Sequence, residues 1–298
     1  MKTSQIFITA LFCICVSFAG NIAYADDYKI GVLAKRGAAN AVKKWGATVD
    51  YLTKKIQGDS FTLLPLDFEE VFPTIEAREV DFFLVNSSMF VTARVRYGAD
   101  AIATMINSRQ KKALKSFGGV IFTYIDRDDI QALSDIKGKQ LMAVKESSLG
   151  GWQMAYKELV DVGINPKQDL AGIHFGGTHD NVVYAVQNGE VDVGTVRTDT
   201  LERMAAVGDI EISEFKIINA KIPDGFPFLI STSLYPEWPI AKLSTTSEAV
   251  AKRVADTLIE MKSDSAAAKS AKIVGWTAPL NYDAVEDMQK LLKVGAYE

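Results

Sequence analysis

Residues 172–200 read GIHFGGTHDNVVYAVQNGEVDVGTVRTDT. The runs at 172–175 and 191–196 are short and rich in apolar side chains, and each predicts a strand. Between them, residues 180–188 predict a helix that Gly189 closes. Strand, helix and strand in immediate succession form a β-α-β unit, since a parallel neighbour is reached only through a long crossover.

The same alternation extends in both directions. Upstream, 139–144 predicts a strand and 151–162 a helix, with Gly163 and Pro166 punctuating its end. Nearer the N-terminus, strands are predicted at 28–34, 61–66, 81–85 and 101–106. Val42, Trp45, Val49, Leu52 and Ile56 recur at spacings of three and four, which predicts one apolar helix face stopped by Gly58. A short helix is predicted at 72–78, with Pro73 in its first turn. The run at 118–124 opens a second series, and strands at 215–219 and 228–232 flank Pro223, Gly225 and Pro227. Helical patterns follow at 247–261, 265–273 and 282–292. Alternation of this kind predicts an α/β protein of two lobes, each a mostly parallel sheet flanked by helices. The C-terminal helices lack a sheet of their own and are expected to return to the first lobe. Lobe one is therefore expected at 26–117 plus 225–298 and lobe two at 118–224, joined by two crossing hinge segments. Such an arrangement encloses a cleft that closes on a ligand.

Residues 1–25 do not fit this pattern. Lys2 precedes an apolar run of about 13 residues, and small residues end in Ala23-Tyr24-Ala25; that order predicts a cleaved secretory signal peptide, too short to span a bilayer. The whole chain has 298 residues, 48% hydrophobic and 23% charged, with a net charge of −4. Cleavage after Ala25 leaves 273 residues at −5 and takes away both cysteines, Cys13 and Cys15. The exported product is then free of thiols, disulfides and cysteine-ligated metal. Its mild acidity argues against a nucleic-acid partner, and no later apolar run reaches membrane length. A soluble, monomeric periplasmic protein without stable membrane insertion is expected.

In open α/β sheets the ligand lies beyond the C-terminal strand ends, where helix N-termini also point. Four loops qualify: Ala34-Lys35-Arg36-Gly37, Asn86-Ser87-Ser88, the stretch from Glu146 to Trp152, and Gly176-Gly177-Thr178-His179-Asp180. Hydroxyls and free N–H groups at helix starts suit an oxyanion. Candidate ligand contacts are Ser147 and Ser148, Ser87 and Ser88, Thr178 and His179. Thr195 and Arg197 join them at the end of their strand, where the guanidinium can grip an anion with two hydrogen bonds. Ser147, His179 and Asp199 can be named as a catalytic set, but no G-x-S-x-G elbow accompanies them. Two histidines without cysteine predict no zinc site, and no phosphate-binding glycine motif predicts a nucleotide cofactor. No cofactor or metal is expected.

At these residues the chain resembles the periplasmic solute-binding proteins of the phosphate/phosphonate type, within the type II, transferrin-like periplasmic binding fold. The resemblance covers the mature chain and is carried by YKIGVLAKRG, VDFFLVNSSMFV, LSDIKGKQLMAVKESSLGGWQ and FGGTHDNVVYAVQNGEVDVGTVRTDTLERM. It implies that Ser147, Ser148 and His179 contact a phosphonate or phosphate group. The runs GGWQMAYKEL, DVGTVRTDTLERM and LYPEWPIAKL are similar to the periplasmic input domains of sensor histidine kinases, tetrathionate-type sensors among them. Leu149 stands where many phosphonate binders carry a polar donor, and Phe90 where a tyrosine is common. The resemblance thus implies a binding protein, not an enzyme, that takes a small phosphate-like or sulfur oxyanion to an ABC permease. The alternatives are a stand-alone sensory subunit presenting ligand to a membrane histidine kinase, and a periplasmic hydrolase.

Overall fold

The structure, a computed structural model, describes residues 26–298. The expected signal peptide lies outside the described residues. Two sheets, each flanked by helices, make up an α/β fold. From one edge the seven-stranded sheet runs Ile273–Thr277, Asp100–Arg109, Pro239–Lys242, Phe82–Leu84, Asp26–Leu33 and Asp59–Leu66, with Lys112–Leu114 hung on Asp100–Arg109. The five-stranded sheet runs Phe215–Ile218, Gly119–Tyr124, Val193–Arg197, Gln140–Ala143 and Gly172–Phe175.

Parallel pairing holds in part of the β-α-β alternation. Asp26–Leu33 lies parallel to both Asp59–Leu66 and Phe82–Leu84, and Gln140–Ala143 parallel to Gly172–Phe175 and to Val193–Arg197. Antiparallel pairing enters with strands that arrive from the far side of a crossing. Pro239–Lys242 wedges between Phe82–Leu84 and Asp100–Arg109, and Ile273–Thr277 closes the edge. Both sheets are therefore mixed, which corrects the expectation of mostly parallel sheets: antiparallel pairs outnumber parallel ones in the first and equal them in the second. The C-terminal segment thus adds two strands to the seven-stranded sheet.

Helix Ala38–Lys55 buries Ala41, Trp45, Thr48, Val49 and Leu52, a stripe at helical spacing that covers the first sheet. The phenylalanines of Phe82–Leu84 are fully buried, as a central strand with both faces covered requires.

Two local expectations are corrected. Residues 228–232 form no strand; they contribute only an isolated bridge between Lys221 and Ile230. Side-chain hydroxyls stand in for ladder bonds there. Ser231 Oγ accepts from the Ile121 N–H at 2.8 Å and donates to the Ile218 carbonyl at 2.7 Å, and Thr232 Oγ1 accepts from the Gly119 N–H at 2.8 Å. The helix expected from Gly151 instead opens with a wide π-type turn, Leu149–Gln153, before the α-helix Met154–Asp161. Glycines are poor helix formers, and this pair sits against other side chains, as described below. Further on, Tyr235–Pro236 pairs antiparallel with Ser116–Phe117.

Candidate functional site

Strand Asp100–Arg109 presents Met105, Asn107 and Arg109 on one face, as the two-residue period of a strand dictates. Helix Ala38–Lys55 brings Asn40, Ala41, Lys44 and Trp45 opposite them. Lys35 enters from the loop after Asp26–Leu33, Arg197 from the end of its strand in lobe two, and Trp238 from the returning chain. Together they line a cavity of about 60 Å³. One buried water needs about 10–15 Å³, so there is room for roughly four to six waters or one small anion.

The charge of this cavity is its main property. Five cationic side chains line it: Lys35, Arg36, Lys44, Arg109 and Arg197. Three have carboxylate partners. Arg36 meets Asp180 at 2.6 Å, Arg109 pairs with Asp199, and Arg197 Nη2 meets Glu237 at 2.9 Å. Lys35 and Lys44 have no ion-pair partner among the described residues; their ammonium groups lie over the rings of Trp238 and Trp45, at 5.0 and 4.7 Å from the centroids. Two amines are thus left without a carboxylate counter-charge in one cavity. Burial, and then the positive charges of Arg109 and Arg197, push the Lys44 ammonium down to about 7. Lys35 is driven well below the ordinary lysine range by burial and by Arg197. Desolvation and like charge both disfavour the charged form, and a bound anion would reverse both effects.

Arg197, Lys35 and Trp238 also line a second, narrower space, together with Asn86, Phe117, Ser148 and His179 among others. The Arg197 guanidinium lies 4.3 Å from the Phe117 ring centroid. Its backbone N–H donates to His179 Nδ1 at 3.3 Å. Burial and the surrounding cations hold His179 neutral, so its Nε2 carries the proton and acts as a donor.

The other expected contacts are placed as follows. Ser148 is buried in the narrow space, and the Ser147 carbonyl accepts from Asn86 Nδ2 at 3.1 Å across the cleft. Thr178 caps helix His179–Gln187, accepting the Asn181 N–H at 3.2 Å. Thr195 is fully buried with an unpartnered hydroxyl. Ser87 Oγ donates to the Pro236 carbonyl at 2.6 Å, and Ser88 Oγ accepts from Gln289 Nε2 at 2.7 Å, so both hydroxyls are engaged within lobe one. Asn86, not a serine, caps helix Ser87–Tyr97. Ser147, His179 and Asp199 form no triad: Asp199 is held by Arg109, and no hydrogen bond links the three among the described residues.

Gly150 and Gly151 make room for protein. A Cβ on Gly150 would stand 2.8 Å from both Arg197 Cβ and the Phe117 ring. Gly150→Ala is therefore expected to cost about 1–3 kcal/mol and to displace Arg197. Chemical denaturation and an anion titration check this; unchanged stability together with unchanged affinity would contradict it.

A larger cavity of about 610 Å³ lies elsewhere between the lobes, beside Ser147, Ser88 and Trp152. Its charges balance in number, Arg96, Lys145 and Lys167 against Glu69, Glu146 and Glu298; Lys145 pairs with Glu69 at 2.5 Å, and Arg96 donates to the Gly295 carbonyl. Excess positive charge is confined to the smaller cavity. Lys44, Asn107 and Arg109 were not singled out from the sequence, although the alternation Met105, Asn107, Arg109 is visible there as polar residues on a strand face.

Residues 30–284 match the family described as ABC transporter, phosphonate, periplasmic substrate-binding protein. The chain is 30% identical over 265 residues to the tetrathionate sensor histidine kinase TtrS of Salmonella typhimurium, covering 89% of this chain and 43% of that protein. The chain thus spans less than half the length of that curated relative. Among solved structures, PhnD1 from Prochlorococcus marinus in complex with methylphosphonate superposes with a TM-score of 0.72 at 15% identity, covering 90% of this chain and 98% of that one. A binding protein component of a phosphonate ABC transporter from Pseudomonas aeruginosa gives 0.71 at 14%, covering 90% and 86%. At such identities these structures establish the fold. Among the described residues, no helix is long and apolar enough to cross a membrane.

Proposed function

The chain belongs to the phosphonate-binding family of periplasmic substrate-binding proteins of ABC transporters, and from that premise we propose that it captures a small anion between its lobes. The observation that carries this reading is the pair Lys35 and Lys44, two cations without carboxylate partners in one cavity. A dianion supplies the missing charge. Arg197 and the His179 Nε2–H supply further donors from lobe two, Ser148 lies beside them, and Trp45 and Trp238 exclude water. The reading includes no catalytic step, since an anion held by cations and aromatic walls meets no nucleophile and base in hydrogen-bonded register. Delivery to an ABC permease after export to the periplasm is the role most in keeping with the family.

A second role is favoured by one observation. Identity to the tetrathionate sensor kinase, at 30%, is about twice that to the phosphonate binders compared. By this reading the chain presents its anion to a membrane histidine kinase. Deleting the gene separates the two: loss of anion uptake supports transport, and loss of an anion-induced transcriptional response with uptake intact supports sensing.

Anion capture is tested by a thermal-shift screen with phosphate, methylphosphonate, sulfate, thiosulfate and tetrathionate, since a ligand of the native state raises stability by mass action. At least one anion is expected to raise the melting temperature. No shift with any of them, alongside a shift with a neutral or cationic solute, would overturn the reading.

The lysines also set a pH dependence. Lys44 lies near 7 in the folded protein and near 10.5 in the unfolded chain. Between these values the unfolded chain binds more protons, so ligand-free stability rises with pH across this window. A bound anion restores the charge, so binding takes up a proton above about pH 7. Affinity is expected to fall by up to about tenfold per pH unit there. Calorimetry in buffers of different ionisation enthalpy reads the uptake directly; an affinity flat from neutral to alkaline pH would contradict it.

A further inference from the structure

Asn107 is among the residues that line the cationic cavity, and it holds a buried amide there. It is fully buried, and its Oδ1 has no hydrogen-bond partner. The orientation of the amide follows from its neighbour. Nδ2 donates to Glu237 Oε1, and a carboxylate that already accepts from Arg197 Nη2 can only accept. Turning the amide over would set two acceptors against each other. Oδ1 is therefore the free atom, and a buried acceptor without a donor is costly. The cations around it are committed otherwise: Arg109 to Asp199, Arg197 to Glu237, and Lys35 and Lys44 to the charge of the anion.

Resting on the anion reading above, we propose that the ligand is an anion that also carries an O–H or N–H donor, and that Asn107 Oδ1 accepts from it. Asn107 is then a specificity-determining residue. It favours oxyanions that keep a proton over those whose oxygens carry none, because an unprotonated anion leaves Oδ1 unpaired and sets an oxygen lone pair against it. A site built on a polar partner discriminates far more sharply than one built on shape alone. Sulfate, thiosulfate and tetrathionate lack the donor, whereas hydrogenphosphate and monoprotonated phosphonates have it.

Phosphate and sulfate are a matched pair for the test, close in size and equal in charge at mildly alkaline pH. Calorimetric titration of the wild-type protein is expected to give a Kd for phosphate at least tenfold below that for sulfate. Asn107→Leu is expected to bring the two within about threefold, by weakening phosphate and leaving sulfate nearly unchanged. Since Asn107 also steadies Glu237, Asn107→Ser serves as a second variant, and the wild-type ratio stands on its own if neither variant folds. Sulfate binding the wild type as tightly as phosphate would overturn the inference, as would a folded Asn107 variant with an unchanged ratio. If sulfate, thiosulfate or tetrathionate binds and no proton-bearing anion does, the inference falls while anion capture stands. If no anion binds, both fall.

Discussion

Converting Lys35 and Lys44 together to methionine is expected to abolish anion binding while leaving the fold intact. Each ammonium can give the anion a charge-assisted hydrogen bond, worth about 1.5–3 kcal/mol. Two of them amount to about 3–6 kcal/mol, a loss on the order of 10²–10⁴-fold in Kd. The two groups share a cavity, so their single-variant losses should not simply add. Methionine keeps the unbranched stem against Trp45 and Trp238 and removes the charge. In the ligand-free protein these charges are a burden, desolvated beside Arg109 and Arg197. The double variant should accordingly melt no lower than wild type at neutral pH. Calorimetric titration and a denaturation curve read both effects. Retained affinity would remove the lysines from the site, and unfolding would show that they support the fold.

Arg197→Leu is expected to act in the opposite way, on stability first. The Arg197 side chain is 7% exposed and that of Glu237 is 1% exposed, and they meet at 2.9 Å between the lobes. A buried ion pair contributes little net stability compared with apolar packing, but removing one partner strands the other. Glu237 would be left with only the Asn107 amide as donor to its carboxylate. The expected loss is about 3–5 kcal/mol, read by urea denaturation. A double variant, Arg197→Leu with Glu237→Gln, should recover much of it, because the stranded charge is gone. A loss below about 1 kcal/mol, within the range of an exposed ion pair, would show that Glu237 is solvated when the lobes open.

The β-α-β unit at residues 172–197 was legible because strand and helix periods change cleanly and Gly189 marks the stop. The strands Pro239–Lys242 and Ile273–Thr277 were not. Each is five residues or shorter, neither alternates clearly, and each gains its partners from chain more than a hundred residues away. Pairing of that kind is set by tertiary packing, and local pattern carries little of it. In the candidate site, Arg197 and His179 were readable as polar side chains at a strand end and a helix start. Lys44 reads as one more charge on an amphipathic helix, and Arg109 as the start of a solvated Arg-Gln-Lys-Lys run. Only the fold shows that they face the same space. For Ser87 and Ser88 the local motif was visible, but their partners Pro236 and Gln289 lie far along the chain.

The central claim is that the anion sits in the cationic cavity between the lobes. Crystals grown with arsenate, which scatters anomalously and keeps a proton as phosphate does, test it most directly. A single anomalous peak within hydrogen-bond reach of Lys35, Lys44 and Arg197 is the predicted result. A peak in the larger cavity beside Ser147 and Trp152, with the cationic cavity holding only water, would contradict the account.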